Sequence, residues 1–408
     1  MPSGRGTVST AGPPPAHPAA LGYDCARSAV SPVVAARPAG MEEIGERRMW
    51  QRRPHEQVIE RALRRWARIG DGPGTLGVGW AGGSNRGRTE QALADLGVKI
   101  VAMPLYDEDG RVAEPLARVD VLVSGGTVLN GPIYDQLACR MILRPYVGYN
   151  DIDVPAATER GILVCNVPDA YSEEVSTQAL AFLMAAHRQL IAFDRETRTG
   201  HWRENMGKPP LVLHNSRAQT VGVIGFGRIG RISGTRAKAL GFRVIASDPY
   251  VDEAEAAEHD IPLVPLEQLL RESDYVTIHA LLWEGTHHLL NAERLALMKP
   301  GAWLINTARG PIVDEAALVD ALRSGHLGGA GLDVMEHEPI APDNPLLTLP
   351  NVLLSPHSAV YSEEGQARAA ERAAGIAQAG LWGRLPDRVA AIDKGLYDAL
   401  VAAGIATV

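Results

Sequence analysis

The sequence is poor in cysteine: of 408 residues only Cys25, Cys139 and Cys165 carry a thiol. They are odd in number and far apart, with neither a Cys-x-x-Cys pair nor histidines at zinc spacing, which argues against a disulfide framework and against a metal site. Reduced, buried thiols in a cytoplasmic protein are the expectation. Long apolar runs are lacking as well. The longest, around Ala179 to Ala186, is far short of the roughly 20 residues that span a bilayer, so no membrane partner is expected. Charge of one sign is the third absence. A formal net charge of -8 spread without acidic runs or a basic stripe leaves no footprint for nucleic acid and favours a small-molecule ligand.

What is present is apolar material for two cores, 46% of the chain, and hence two expected domains. Residues 1 to about 40 are rich in Pro, Ala, Gly and Ser and carry one acidic residue. They cannot offset their ordering entropy by burial and are expected to be disordered. From Met41 to Ile69 the pattern turns helical, with Ile59, Leu63 and Trp66 on one face, so 1–72 reads as a disordered or helical extension.

From Thr75 onward, short β-rich runs alternate with helical stretches: Leu76 to Trp80, Val98 to Met103, Val119 to Ser124, Met141 to Arg144 and Ile162 to Cys165. Alternation of this kind predicts a parallel sheet flanked by helices. One long helix, Ser172 to about Thr199, leads to a second alternating block from Thr220 to about Pro356. A final helix, Ser362 to Trp382, returns to the first block. The first domain is therefore discontinuous, 73–175 with 357–395, around a continuous second domain, 176–356. Residues 396–408 read as a tail.

The strand-like run Thr220–Ile224 ends in Gly225-Phe226-Gly227-Arg228-Ile229-Gly230, followed by a helical pattern and a second strand that ends in Asp248. In such a turn the first glycine permits the bend, the second lets backbone approach a pyrophosphate, and the third lets helix and strand pack closely. A bare Gly-x-Gly-x-x-Gly is weak, and an Asp-Pro turn after a strand is common. The strand before, the helix after and an acid about 20 residues on supply the missing context. Asp248 can accept both ribose hydroxyls and would repel a 2'-phosphate, so NAD is expected rather than NADP. The fold class follows: α/β, two Rossmann-like doubly wound domains, the outer one flavodoxin-like.

Three more patches stand at expected C-terminal strand ends, where open α/β sheets bind ligands: Asn306 to Gly310, Asp333 to Pro339, and Ser355 to His357. Hydride chemistry on a 2-hydroxy acid needs a planar cation for the carboxylate and carbonyl, a group titrating near neutrality, and a carboxylate that fixes the tautomer of that group and stabilises its imidazolium. Arg309, His357 and Glu338 supply one of each. Taken singly, each has a bland reading as a surface charge, a turn or a loop boundary; the adjoining His287 and His288 are left as surface residues.

Residues from about Ile142 to His357 resemble the D-isomer-specific 2-hydroxyacid dehydrogenases. The resemblance is carried by Val147-Gly148-Tyr149, Asn166-Val167-Pro168, the glycine loop, Asn306-Thr307-Ala308-Arg309-Gly310, Asp333-Val334, Glu338-Pro339 and Pro356-His357. Asp248-Pro249-Tyr250, His287-His288-Leu289 and Tyr361-Ser362-Glu363 are most similar to the C-terminal-binding-protein branch, which includes NAD(H)-binding corepressors. The resemblance implies Arg309 on the substrate, His357 as acid and base, Glu338 as its partner, and Thr307, Ala308 and Asp333 near the nicotinamide. It places Arg144 and the Val147-Gly148 backbone in the substrate loop, and implies a homodimer through the nucleotide domain. The alternative it raises is an NAD(H)-sensing protein-binding module. Three positions depart from the pattern: Tyr146 where glycine is usual, Asn150-Asp151 in reversed order, and Val360 in place of an aromatic. The substrate, a small 2-keto or 2-hydroxy acid, is left unspecified among glyoxylate, hydroxypyruvate, phosphoglycerate and bulkier acids.

Overall fold

The computed structural model describes residues 52–67, 74–80, 86–95, 97, 99–202 and 213–408. The expected disorder of residues 1–40 and the first part of the 41–69 helix lie outside the described residues, as does Cys25. Within them the N-terminal helix runs Glu56–Trp66 and buries Val58, Ile59, Ala62 and Trp66.

Two sheets, all of whose pairings are parallel, organise the chain. The first contains β1 (Leu76–Trp80), β2 (Ile100–Pro104), β3 (Val121–Gly125), β4 (Met141–Arg144) and β5 (Leu163–Asn166), in the order β2-β1-β3-β4-β5. Residues of β3, β4 and β5 are buried throughout, as expected where helices cover both faces and strands read as apolar runs rather than alternating ones. The second holds β6 (Thr220–Ile224), β7 (Arg243–Ser247), β8 (Tyr275–Ile278), β9 (Trp303–Asn306), β10 (Gly329–Leu332) and β11 (Val352–Leu354), ordered β11-β10-β9-β8-β6-β7. An isolated parallel bridge, Ala246 to Leu263, adds the rudiment of a further strand beyond β7. Each order reverses once, beside β1 in the first sheet and β6 in the second. Such switch points open a crevice at the C-terminal strand ends, and ligands bind there.

The helix expected over Ser172 to about Thr199 is two helices, Ser172–His187 and Leu190–Arg198, separated by Gln189 at φ 50°. The Gln189 side chain donates back to the Ala186 carbonyl, 2.9 Å, which favours the break where a uniform helical pattern gave no warning. Ala179, Phe182, Leu183 and Ala186 of the longer helix pack with β6, β7 and β9 residues, whereas Val175 in its first turns joins the core of the first sheet. The helix Glu363–Leu381 starts from Ser362, whose hydroxyl accepts from Gly365 N at 2.7 Å. Its alanine face, Ala369, Ala373 and Ala377, lies in the core of the first sheet. The returning segment thus covers the first sheet, as its pattern predicts.

Residues 396–408 are not a tail. Asp393 caps a helix, Lys394–Ala402, through Leu396 N at 2.8 Å, and Leu396, Tyr397 and Leu400 enter the first core beside Trp66. Three apolar residues at helical spacing find a groove that only the folded first lobe creates. Cys139 and Cys165 are buried and unpaired, and burial pushes the Cys139 thiol up to about 12, leaving it inert. Among the described residues no helix is long and apolar enough to cross a membrane.

Candidate active site

A cavity of about 1020 Å³ opens at the end of β6, lined on one side by Gly225, Gly227, Arg228, Ile229 and Asp248 and on the other by Val147, Tyr149, Asn166 and Pro168. Gly225 has φ +86°, and a Cβ on Gly230 would fall 2.0 Å from the Gly225 carbonyl oxygen. The turn is therefore closed to larger residues. The helix Arg228–Ala239 begins at Gly227 with no side chain capping it, so its first N–H groups and positive dipole end face the cleft. Asp248 accepts from Phe226 N and Tyr250 N, both at 2.9 Å. That fixes the carboxylate at the rim while leaving it lone pairs. Arg228 donates across the cleft to the Pro168 carbonyl at 3.0 Å, and Arg236 reaches Ser176 at 3.4 Å and Thr177 at 3.3 Å.

A second cavity, about 320 Å³, adjoins the first and shares Val147, Tyr149, Ile229 and His279 with it. Its lining includes Gly148, Thr307, Ala308, Arg309, Asp333 and His357. His357 Nδ1 bonds Glu338 Oε2 at 2.7 Å, leaving Nε2 free of that pair. Glu338 also accepts from Met335 N at 3.0 Å. Burial pushes the Glu338 carboxyl up, but the His357 bond and charge, the Met335 N–H and Arg309 together hold it below the usual carboxylate value. Arg309 is desolvated, which lowers its pKa against the pull of Glu338 and Asp151. A guanidinium stays charged under such burial and gains by meeting an anion. It donates to Asn150 Oδ1 at 3.1 Å and to the Ala308 carbonyl at 2.6 Å. A Cβ on Gly148 would lie 1.9 Å from its Nη2; only glycine admits the guanidinium to the loop.

Asp333 is 1% exposed and accepts from Ser358 N at 2.9 Å and Ala359 N at 3.0 Å. Its backbone carbonyl takes His357 N at 2.8 Å. Besides lining the cavity, it pins the loop on which His357, at φ 51°, is carried.

A sequence profile described as the NAD binding domain of D-isomer specific 2-hydroxyacid dehydrogenase matches residues 180–359. A glyoxylate reductase of Korarchaeum cryptofilum (strain OPF8) is 41% identical over 268 residues, 64% of this chain and 80% of the relative. This chain belongs to the D-isomer specific 2-hydroxyacid dehydrogenase family. A D-3-phosphoglycerate dehydrogenase of Methanocaldococcus jannaschii is 39% identical over 277 residues, 67% of this chain and 52% of the relative, so the chain spans about half of that protein. The crystal structure of D-lactate dehydrogenase from Aquifex aeolicus, complexed with NAD and lactic acid, superposes with a TM-score of 0.64 at 28% identity, covering 75% of this chain and 94% of that one.

The cleft of this dehydrogenase fits the dinucleotide. It offers an uncapped helix N-terminus behind a closed glycine turn, and two buried polar atoms without hydrogen-bond partners among the described residues, His279 Nδ1 and Thr307 Oγ1. Thr307 lines the smaller cavity and His279 lines both. Sequence reasoning missed His279, whose pKa burial lowers to about 4; its place just after β8 was the available signal. Asn150 was noticed only as a departure, yet it joins the lobes, accepting from Arg309 and donating to the Leu282 carbonyl at 3.0 Å.

Arg144 departs from expectation. It is 0% exposed and does not line the smaller cavity. Its guanidinium donates to the Tyr146 hydroxyl at 2.9 Å, lies 5.0 Å from that ring's centroid and pairs with Asp151. The residues at two of the three departures thus hold it beneath the loop. His287 and His288 stack at 4.1 Å, and His288 bonds Glu336 at 2.8 Å. Among the described residues no group of three His, Cys, Asp or Glu side chains could hold a metal.

Proposed function

We propose that this dehydrogenase interconverts a 2-keto acid and its D-2-hydroxy acid in the smaller cavity. The dinucleotide held in the larger cleft supplies or takes the hydride. The chain's own residues do the rest. Arg309 binds the carboxylate and polarises the carbonyl, with Nη2 directed at the Gly148 backbone, so the Val147-Gly148 segment forms the opposite wall. His357 Nε2 gives its proton to the carbonyl oxygen in reduction and recovers it in oxidation. Glu338, bonded to Nδ1, fixes the tautomer that leaves Nε2 to work and stabilises the imidazolium. Asp333 and the Thr307-Ala308 segment would stand near the nicotinamide of a bound dinucleotide, and Asp248 would select NAD by its charge. Arg144 takes no direct part and supports the loop.

The observation that carries this reading is the 2.7 Å His357–Glu338 pair opening onto one cavity with Arg309. Loss of NADH absorbance against a panel of 2-keto acids tests it. Turnover of at least one acid is expected, with His357→Ala abolishing it while NADH binding persists; turnover surviving in that variant would overturn the assignment. Residues 73–175 with 357–408 are proposed as the substrate domain and 176–356 as the nucleotide domain. A homodimer through the latter is also proposed, supported by Leu190 and Trp202, 59% and 66% exposed; light scattering at a monomer mass would exclude it. The unpaired thiols favour a cytoplasmic setting.

A further inference from the structure

The smaller cavity has a distinctive balance of charge. Among the described residues its lining holds one guanidinium, Arg309, and two histidines, His279 and His357, the latter with Nδ1 committed to Glu338. Asp333 adds a carboxylate on the other side of the ledger. Three more cations, Arg228, Arg388 and Lys394, line the larger cleft and not this one. Arg388 pairs with Asp398 at 2.8 Å, and Lys394 donates to the Val389 carbonyl at 3.1 Å and to those of Arg388 and Ala391. Arg144, the nearest further cation of the loop in sequence, is enclosed by Tyr146 and Asp151 as described. Although its Nε has no partner among the described residues, the side chain exposes no surface through which to offer it.

Much of the rest of the wall is apolar, interrupted by Asn150, His279 and Thr307. Val147, Tyr149, Val175, Leu281, Leu282 and Val360 contribute to it, and its volume of about 320 Å³ is at the lower end of the range of roughly 300–1,000 Å³ seen for pockets that hold ligands much larger than a two-carbon acid. A short acid beside the nicotinamide would leave apolar surface without contacts, and each methylene that fills such a wall is worth about ten-fold in specificity.

Resting on the reading that 2-keto acids react here, we propose that this site selects an acid whose side chain is uncharged and apolar, of branched or aromatic type, and rejects acids with a second anionic group. One cation is present for one carboxylate. Tyr146 and Asp151 set this selectivity by withholding Arg144, and Val360 sets the size limit by standing where a larger residue would shorten the pocket.

The test compares kcat/KM for ketoisocaproate and phenylpyruvate with glyoxylate, pyruvate, oxaloacetate and phosphohydroxypyruvate, on the full chain with NADH. The expected result is a preference of at least about ten-fold for the first two over glyoxylate and pyruvate, with the doubly anionic acids slower still. Preference for glyoxylate or for a doubly anionic acid would overturn the proposal while leaving the 2-keto acid reading intact; failure of every acid would overturn both. Val360→Phe should lower phenylpyruvate at least about ten-fold more than pyruvate, and an unchanged ratio counts against the size argument. Tyr146→Gly should raise oxaloacetate relative to ketoisocaproate by releasing Arg144. If that protein fails to fold, Asp151→Asn reads out the same ratio, and no change in a folded variant overturns the charge argument.

Discussion

The glycine loop Gly225–Gly230 and the loop Pro145–Asp151 line adjoining cavities and keep their shapes by different means. The first is held by backbone. A positive φ at Gly225, a glycine approach at Gly230 and two main-chain N–H groups on Asp248 define it, and what it offers a ligand is again backbone. The second is held by side chains: Arg144 to Tyr146 and Asp151 beneath, Asn150 to Arg309 and Leu282 across the cleft, and Asn166 Nδ2 to the Val147 carbonyl at 2.7 Å. A backbone device tolerates little change and looks alike wherever it is built. A side-chain device can be rewired by exchanging two neighbours. Asn150 can accept from Arg309 and donate to Leu282 at once, which an aspartate could not do, while the acid one position later is free to hold Arg144.

The largest effect expected from breaking this contrast is at Arg309, which is tied to the side-chain-held loop through Asn150 and lies against Gly148. Arg309→Gln should lower kcat/KM about 1,000-fold with NADH affinity retained, as read by steady-state kinetics and fluorescence titration. A parallel loss of NADH binding would mean the two regions are not separable. Glu338→Gln should lower kcat about 100-fold in the same assays, since the amide cannot stabilise the imidazolium as a carboxylate does.

Paired glycine variants sharpen the comparison. Gly148→Ala places a methyl against Arg309 Nη2 and should raise KM for the acid about ten-fold or more, a displacement effect, whereas Gly230→Ala should weaken NADH binding instead. Leu396→Ala, in the core of the first lobe, should cost about 2–5 kcal/mol in urea unfolding without changing NADH affinity of the folded fraction. The smallest effect concerns pH. Because the folded Glu338 carboxyl lies below its ordinary value of 4.5, its contribution to stability is complete above that value and is lost as pH falls through the lower folded one. Melting curves of wild type and Glu338→Gln should therefore converge as the pH drops below about 4.5.

Much of the site was legible because its residues sit where short runs end. Arg309, Asp333 and His357 follow β9, β10 and β11, and a parallel sheet brings every C-terminal strand end to one edge. Glu338 follows by reach alone, three residues beyond Met335, whose N–H it accepts. Other features left no such trace. The break at Gln189 depends on one side chain turning back on its own helix, and the C-terminal helix depends on packing against the helix Glu56–Trp66, about 330 positions earlier in the chain. His279 is marked in the sequence only as a histidine after a strand; what distinguishes it is a buried Nδ1 with no hydrogen-bond partner among the described residues.

By itself the sequence determined the parallel α/β architecture, the dinucleotide turn and the three residues proposed for the chemistry, because each depends on local backbone geometry and on strand ends that the topology gathers. Tertiary structure alone decided that Arg144 lies beneath the Pro145–Asp151 loop rather than on the wall of the smaller cavity. A guanidinium goes where its partners are, and Tyr146 and Asp151 hold this one out of the cavity.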